Sequence, residues 1–308
     1  MNRTELRERS LALEAETKAI AHGIRKRVLA KTIEMKGGNF SQACSSAELY
    51  ATLYTRVLDL AEVEEPLMPH KFRGVPGPDN TEYTDGSRFH GKKGPHYDTF
   101  HLSPVQYSIV HYAALIEVGR MAPEAMDYYE VDGYDILQIG DASSPGMEFM
   151  AGSLGQTVSQ AAGTAYARKQ RGDAGRVVVL LGDGELQEGQ TWETLEALAY
   201  YQLDNMLIFV DVNGHQVDGA VADTMAMDPL DEKLEAFGMR VIVVDGHDCN
   251  AIEAAGRAKS DGRPTVVLAL TDSCRGAEVL RKRAPKLHFI RFSNEEQVEE
   301  LQELLDSM

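Results

Sequence analysis

The chain has 308 residues, of which 43% are hydrophobic and 26% are charged, and its formal net charge is −17. This composition predicts a globular protein. The lack of a run of about 18 apolar residues argues against a membrane span, and the charged N-terminus argues against a signal sequence. Without either, a cytoplasmic protein is expected. The acidic balance disfavours nucleic acid and anionic membranes as partners, because both attract clustered Lys and Arg.

Helical patterns dominate the first half of the chain. Apolar residues at helical spacing predict four helices, over about 5–35, 45–60, 105–120 and 156–170. The second of these opens at Ser45, which is expected to act as a capping residue. Between Glu62 and Tyr97 the sequence is rich in Pro, Gly, Asn, His and charge, which predicts a long surface loop. Loops of that length are usually functional or mobile.

Short apolar runs alternate with helical patterns in the second half. The predicted strands are Val177–Leu181, Met206–Val212, Val241–Val244 and Thr265–Leu270, and the predicted helices are Gln187–Tyr201 and Asn250–Lys259. The runs are continuously apolar, which is typical of parallel strands covered on both faces. The order therefore predicts an α/β fold with a doubly wound, mostly parallel sheet flanked by helices on both faces.

Two of the predicted strands are followed by polar residues that suit a phosphate and a metal. Gly182–Glu185 follows the first strand and Asp211–His215 follows the second, so Asp183 and Asn213 are expected at the same edge of the sheet. Glycines and helix N-termini accommodate phosphate, while a carboxylate, an amide oxygen and a backbone carbonyl suit Mg²⁺. A third glycine turn, Gly152–Gln156, precedes a helix. These features favour a diphosphate bound through a metal.

These stretches resemble the transketolase family of thiamine-diphosphate enzymes. The family fingerprint is Gly-Asp-Gly followed about thirty residues later by Asn, and GDGELQEGQTWETLEALAYYQLDNMLIFVDVNGHQVDG (182–219) matches its longer form. Further similar stretches are SSAELYATLY (45–54), GSLGQTVSQAAGTAYARK (152–169), FGMRVIVVDGHDCNAI (237–252) and RPTVVLALTDSCRGAEV (263–279). The resemblance implies one diphosphate-binding domain over residues 1–308, with an N-terminal helical segment (about 1–60) and a loop insertion (about 62–97).

The resemblance also implies a site for thiamine diphosphate and Mg²⁺, or Ca²⁺ or Mn²⁺ in its place. The metal is expected to be held by Asp183, Asn213 and the backbone carbonyl of His215. Backbone amides of Gly184 and Glu185 are expected to face the diphosphate, and Leu154 to pack against the cofactor rings. The expected cofactor-binding residues are Gly152, Leu154, Gly184, Glu185, Asn213, His215 and His288.

Two catalytic residues follow from the same resemblance. Glu188 matches a family glutamate at the subunit interface that links the two active sites. His288 is expected near the diphosphate and the substrate. Core packing is the expectation for Trp192 and Leu195.

Three histidines typical of the family are missing. Asn39 and Gln106 stand at the positions of the first two, and the third falls near Gly140–Asp141. Asn39 and Gln106 are therefore predicted catalytic residues that bind substrate by hydrogen bonds but do not exchange protons near neutral pH. Replacements are expected from His96, His101 or the long loop, and standard pentose phosphates become doubtful substrates.

The resulting interpretation is the N-terminal subunit of a split, divergent transketolase, which transfers a two-carbon ketol unit from a ketose-like donor to an aldehyde acceptor. Its expected partner is a chain carrying the pyrimidine-binding and C-terminal domains, in a heterotetramer of two copies of each. Two alternatives stay open: a decarboxylating subunit that acts on a 2-oxo acid, and a non-catalytic homologue. A nicotinamide dehydrogenase is disfavoured, because no Gly-x-Gly-x-x-Gly follows a strand with an acidic residue about twenty positions on.

Overall fold

A parallel sheet organises the computed structural model, which describes residues 3–308, with side chains from residue 11 onward. The strands in this part of the chain are β1 (Gly37–Gly38), β2 (Thr99–Leu102), β3 (Val177–Gly182), β4 (Met206–Val212), β5 (His215–Gln216), β6 (Gly219–Ala220), β7 (Arg240–Asp245), β8 (Thr265–Leu270) and β9 (Ile290–Arg291). The main sheet has five parallel strands in the order β2-β3-β4-β8-β7. Two small antiparallel pairs, β1 with β9 and β5 with β6, lie outside it.

Helices connect these strands. They are α1 (Arg3–Glu34), α2 (Phe40–Thr52), α3 (Ser108–Glu117), α4 (Gln156–Arg171), α5 (Gly189–Tyr200), α6 (Val221–Met225), α7 (Leu230–Ala236), α8 (Cys249–Gly256) and α9 (Glu295–Ser307). A π-helical turn, Leu53–Val57, extends α2, and short 3₁₀ helices include Gly86–His90, Val105–Tyr107 and Gly184–Gln187. Among residues 3–308, no helix is both long and apolar enough to cross a membrane.

The two faces of the sheet are buried in two separate hydrophobic clusters. Val178 and Leu180 of β3 point into a cluster with α1, α2, α3 and α8. Val177, Val179 and Leu181 of the same strand point into a second cluster with α4, α5 and α7. Successive side chains of a strand alternate between faces, so covering both faces makes the whole strand apolar. The predicted doubly wound α/β fold is confirmed.

The structure corrects the predicted start of the second helix. This helix begins at Phe40, not at Ser45, and no side chain caps it. The hydroxyls expected to act as caps lie inside the helix: Ser46 Oγ donates to the Gln42 carbonyl (2.6 Å), and Ser45 Oγ donates to Asp211 Oδ2 (2.6 Å). The cap prediction was wrong because these serines satisfy groups within the fold and not the free N–H groups of a helix end.

Two further elements differ from the prediction. Strand β2 was not predicted, yet it pairs with β3 through four residues. The segment Glu62–Tyr97 is mostly irregular, as predicted, but its end is not confined to the surface. There a 3₁₀ helix buries Phe89 and His90 in the fold, and Tyr54 Oη lies 2.8 Å from His90 Nε2.

Candidate functional site

A cavity of about 310 Å³ lies beyond the carboxyl ends of β3 and β4. Gly182, the last residue of β3, pairs with Asp211 of β4, so the polar residues after both strands meet at one edge of the sheet. Several separate segments of the chain line the cavity: Ser41, Gln42, Gln106, Tyr107, Leu154, Gly182, Asp183, Gly184, Glu185, Gln187, Glu188, Asn213, His215, Gln216, Val217, Asp218, Ser273, Leu287 and His288.

Asp183 connects the two strand ends. Its Oδ1 accepts a hydrogen bond from the Gly184 amide (2.8 Å) and its Oδ2 accepts one from the Gly214 amide (2.7 Å). Burial raises the pKa of this carboxyl to about 7, although the two backbone amides favour the charged form. Each carboxyl oxygen keeps a free lone pair, so a cation bound beside Asp183 would stabilise its charged form.

Asn213 has its orientation fixed by its neighbours. Its Nδ2 donates to Asp211 Oδ2 (3.2 Å) and to Tyr107 Oη (2.9 Å). A carboxylate only accepts hydrogen bonds, so the NH₂ group must face Asp211 and the amide oxygen must face away from it. That oxygen accepts the His215 amide (2.9 Å) and keeps one lone pair. Asn213 is therefore held ready as an oxygen ligand.

Asp211 is the buried centre of this network, a role that was not predicted from the sequence. The residue is fully buried, and its carboxyl group accepts hydrogen bonds from Ser45 Oγ (2.6 Å), Tyr107 Oη (2.6 Å), Asn213 Nδ2 and Thr271 Oγ1. Four donors from four parts of the chain thus converge on the end of β4. The one sequence feature that could have indicated this buried role is that Asp211 is the lone charged residue in the apolar run Met206–Val212.

Glu185 contributes its side chain, whereas the sequence predicted only its backbone amide. The side chain is buried, and its Oε1 accepts the Gly155 amide (2.7 Å) and the Ser103 hydroxyl. Burial raises the pKa of this carboxyl to about 7. Gly155 adopts φ +80°, and a Cβ there would lie 3.0 Å from Glu188 Cβ. The Glu185 side chain therefore holds the glycine turn beside the cavity, and any other residue at position 155 would be strained.

The cavity contains little positive charge of its own. None of its lining residues is Lys or Arg, as far as the structure describes the chain. Burial lowers the pKa of both His215 and His288, so both rings are uncharged near neutral pH. A diphosphate entering here needs a cation, and the carboxyl, amide and carbonyl oxygens at the strand ends are the donors that Mg²⁺ prefers. The residues present thus fit a diphosphate bound through a metal.

Most of the remaining predicted residues lie around the same cavity. Leu154, Gln106, Glu188 and His288 line it directly. Gly152 does not, because it faces Ile139, and a Cβ at position 152 would lie 3.5 Å from Ile139 Cγ2. Trp192 and Leu195 pack into the second hydrophobic cluster, as predicted.

Asn39 lies behind the cavity wall and reaches it only through His288. Its Nδ2 donates to the His288 carbonyl (2.9 Å), and its Oδ1 accepts from Gln138 Nε2 (3.2 Å). Gln138 was not identified from sequence. It lies near Gly140–Asp141, where the third family histidine was expected, and it contacts the Asn39 side chain directly.

The predicted replacement histidines do not reach this cavity. His101 is buried in β2, where its ring stacks on Phe149 with centroids 5.1 Å apart and its Nε2 lies 3.0 Å from Thr99 Oγ1. It lines a different cavity, with His90 and Glu148. His96 is exposed and lines neither cavity. The expectation was wrong because β2 ends at Leu102, so only the residues after it reach the carboxyl edge of the sheet.

Comparisons with known proteins agree with this site. Residues 57–288 match the family described as transketolase, thiamine diphosphate binding domain. The chain is 31% identical to one subunit of the apulose-4-phosphate transketolase of Actinobacillus succinogenes, over 90% of each protein. It is 30% identical to a 6-deoxy-6-sulfo-D-fructose transketolase subunit of Clostridium sp. strain MSTE9, over 83% of this chain and 85% of that one.

A solved transketolase from Campylobacter jejuni has the same fold. It superposes with a TM-score of 0.71 at 22% identity, over 95% of this chain and 43% of that one. The sequence match over residues 57–288 includes the strand ends that carry Asp183 and Asn213. The chain belongs to the transketolase family and contains that family's thiamine diphosphate binding domain.

Proposed function

We propose that this chain is the cofactor-binding subunit of a two-chain transketolase, which transfers a two-carbon ketol unit from a ketose-like donor to an aldehyde acceptor. The observation that carries the proposal is the cavity, which combines Asp183 and Asn213 with His288 and, among residues 11–308, includes no lysine or arginine. Such a cavity suits a diphosphate held through a metal beside a polar substrate site. The apulose-4-phosphate relative is itself named as one subunit of its enzyme and aligns over 90% of both proteins, which supports a second chain here.

In this proposal the metal is Mg²⁺, with Ca²⁺ or Mn²⁺ as substitutes. The Asp183 carboxylate, the Asn213 amide oxygen and the His215 backbone carbonyl hold it, since Asp183 and Asn213 directly follow β3 and β4 and His215 begins β5. The backbone amide of Glu185, in the 3₁₀ turn after β3, faces the diphosphate, and the Gly184 amide, which donates to Asp183 Oδ1 in the structure, joins it when the metal binds that carboxylate. Asp211 keeps the Asn213 oxygen turned toward the metal.

The remaining residues of the cavity bind the rest of the cofactor and the substrate. When bound, thiamine diphosphate supplies the nucleophilic carbon that allows the bond beside a ketose carbonyl to break. Leu154 packs against its rings and excludes water, and Gly152 keeps the adjoining turn small. The His288 ring, uncharged near neutral pH, can accept a proton from a substrate hydroxyl. Gln106, on the cavity wall, holds substrate by hydrogen bonds without exchanging protons, whereas Asn39 lies behind the wall and positions His288 by donating to its carbonyl.

The partner subunit is proposed to supply the pyrimidine-binding and C-terminal domains. Glu188, at the start of α5 and on the cavity wall, lies at the proposed interface and connects the two active sites. A heterotetramer of two copies of each chain gives two such sites. The proposal places the enzyme in the cytoplasm.

The test is ketol transfer by this chain mixed with a candidate partner, thiamine diphosphate and Mg²⁺, over a panel of ketoses with and without a terminal anionic group. We expect an aldehyde two carbons shorter than the donor. Asp183→Asn should abolish the transfer, whereas Asp223→Asn, at an exposed position that does not line the cavity, should retain it. Release of CO₂ from a 2-oxo acid would indicate a decarboxylating enzyme, and cofactor binding without turnover would indicate a non-catalytic homologue.

A further inference from the structure

A second cavity, of about 610 Å³, lies at the opposite edge of the main sheet from the candidate site. Thr99, the first residue of β2, lines it, whereas the candidate site lies beyond the carboxyl ends of β3 and β4. Strand β3 has six residues, so the two edges are about 20 Å apart. Among residues 11–308, the two cavities share no lining residue. The second cavity is therefore separate from the proposed cofactor site.

The carboxylates on the wall of this second cavity are already neutralised. Each forms an ion pair: Glu148 with Lys93 (2.9 Å), Asp173 with Arg171 (2.6 Å) and Asp98 with Arg176 (2.7 Å). Arg168 and Lys92 also line the cavity, and within residues 11–308 no carboxylate pairs with either of them. The wall therefore holds two uncompensated positive charges, in a chain whose formal net charge is −17.

Arg168 is a buried cation that backbone carbonyls hold in place. Only 6% of its surface is exposed. Its Nε donates to the Gly175 carbonyl (3.2 Å), and its Nη2 donates to the Tyr97 carbonyl (2.6 Å). Within the described residues its Nη1 makes no hydrogen bond, and this atom is not closed off from solvent. Buried charges are nearly always paired, so Arg168 offers a fixed donor that lacks a counter-ion.

The turn His90–Pro95 (HGKKGP) adds further donors to the same wall. The Lys92 side chain is exposed, and among the described residues none accepts a hydrogen bond from the backbone amides of Lys92, Lys93 and Gly94. Free amides of a glycine turn, combined with basic side chains, are typical donors to a bound anion. His90 and His101 contribute no charge, because burial lowers the pKa of both rings.

We propose that Arg168, Lys92 and the free amides of the turn His90–Pro95 form a second anion site, which binds a phosphate-type group. Such a group carries three or more acceptor oxygens, which suits several donors, whereas a carboxylate carries two. The volume of about 610 Å³ lies within the range of small-molecule sites and leaves room for the rest of a phosphorylated molecule. The site is independent of the proposed ketol transfer, since it uses none of the residues assigned to it.

Calorimetric titration measures the binding of inorganic phosphate, glycerol 3-phosphate and glycerol to the full chain, alone and with its candidate partner. Low salt and neutral pH are used, because salt screens exposed charges such as Lys92. We expect one site per chain for both phosphate compounds and no binding of glycerol. Tighter binding of glycerol 3-phosphate would assign the site to a phosphorylated small molecule, and equal binding would assign it to free phosphate; both results support the site.

Lys92→Glu should weaken phosphate binding roughly fivefold or more, because it reverses an unpaired charge on the wall. Lys259→Glu is the matched control: position 259 is also exposed but lines neither cavity, so its affinity should stay within about twofold of wild type. Arg168→Gln should weaken binding roughly 10- to 100-fold, the range for a hydrogen bond to a charged group. Circular dichroism checks that this variant folds, and Lys92→Glu decides the question if it does not.

Asp183→Ala separates this site from the candidate active site, and it should leave phosphate binding unchanged. Binding that disappears in Asp183→Ala would place the anion in the first cavity and overturn the inference. Absence of phosphate binding by wild type, or equal affinities of wild type, Lys92→Glu and a folded Arg168→Gln, would also overturn it. Equal weakening in Lys92→Glu and Lys259→Glu would reduce the effect to overall charge. None of these results depends on ketol transfer, so the proposed function is tested separately.

Discussion

The carboxyl group of Asp211 holds together the network beneath the proposed metal site. Four donors, from Ser45, Tyr107, Asn213 and Thr271, point at its two oxygens. In Asp211→Asn one oxygen becomes an NH₂ group, so the Thr271 hydroxyl must turn to accept from it or one of the other donors faces it, and all four bonds lose a charged acceptor. Hydrogen bonds to charged groups exceed neutral ones by about 1 kcal/mol, so four of them predict a loss of about 4 kcal/mol in the free energy of unfolding.

Urea unfolding of wild type, Asp211→Asn and Asp218→Asn measures this loss. Asp218→Asn is the control, because the substitution is identical and position 218 is exposed, so its effect should stay within about 0.5 kcal/mol. The Mg²⁺-dependent affinity for thiamine diphosphate should also fall roughly 10- to 100-fold in Asp211→Asn, since Asn213 loses the group that orients it. A stability loss below about 1 kcal/mol with unchanged cofactor affinity would refute the role assigned to Asp211.

Two further predictions concern the glycine turn and the buried His111. Gly155→Ala should lower the free energy of unfolding by about 1–2 kcal/mol because of its φ of +80°, and should weaken cofactor binding because a Cβ there approaches Glu188 closely. Gly163→Ala in α4 has open space around it and should raise the free energy of unfolding by about 0.5–1 kcal/mol. Calorimetric unfolding compares the two variants, and equal effects would contradict the prediction. Burial lowers the pKa of His111 from 6.5 to about 3, so the unfolded state binds more protons below pH 6.5 and stability falls by about 1.4 kcal/mol per pH unit until pH 3. His111→Phe, which keeps a ring stacked on Phe100, should therefore lose about 2 kcal/mol less than wild type between pH 7 and pH 5 in urea unfolding, and an identical pH dependence would exclude this explanation.

The elements predicted correctly are those whose local sequence contains the whole signal. The apolar runs at Met206–Val212 and Thr265–Leu270 match β4 and β8 residue for residue, because both faces of these strands are buried. Strand β2 has only four residues and forms by pairing with β3, which lies more than seventy positions away. Nothing in its own sequence distinguishes it from a loop.

The same contrast applies to the site. Asp183 and Asn213 could be predicted, because the ends of adjacent parallel strands must meet. The roles of Asp211 and of the Glu185 side chain depend on distant donors, such as Ser45, which lies 166 positions from Asp211. The contact of Gln138 with Asn39 likewise joins residues 99 positions apart. Such contacts leave no local pattern in the sequence.

We propose that Asp183 and Asn213 hold a metal-bound thiamine diphosphate in this cavity. Calorimetric titration of thiamine diphosphate into the chain, alone and with its candidate partner, with Mg²⁺ or with a chelator, tests it directly when wild type is compared with Asp183→Ala. We expect binding that requires Mg²⁺, strengthens with the partner and disappears in Asp183→Ala. Binding that persists in the chelator or in the variant, or no binding by wild type with its partner, would contradict it.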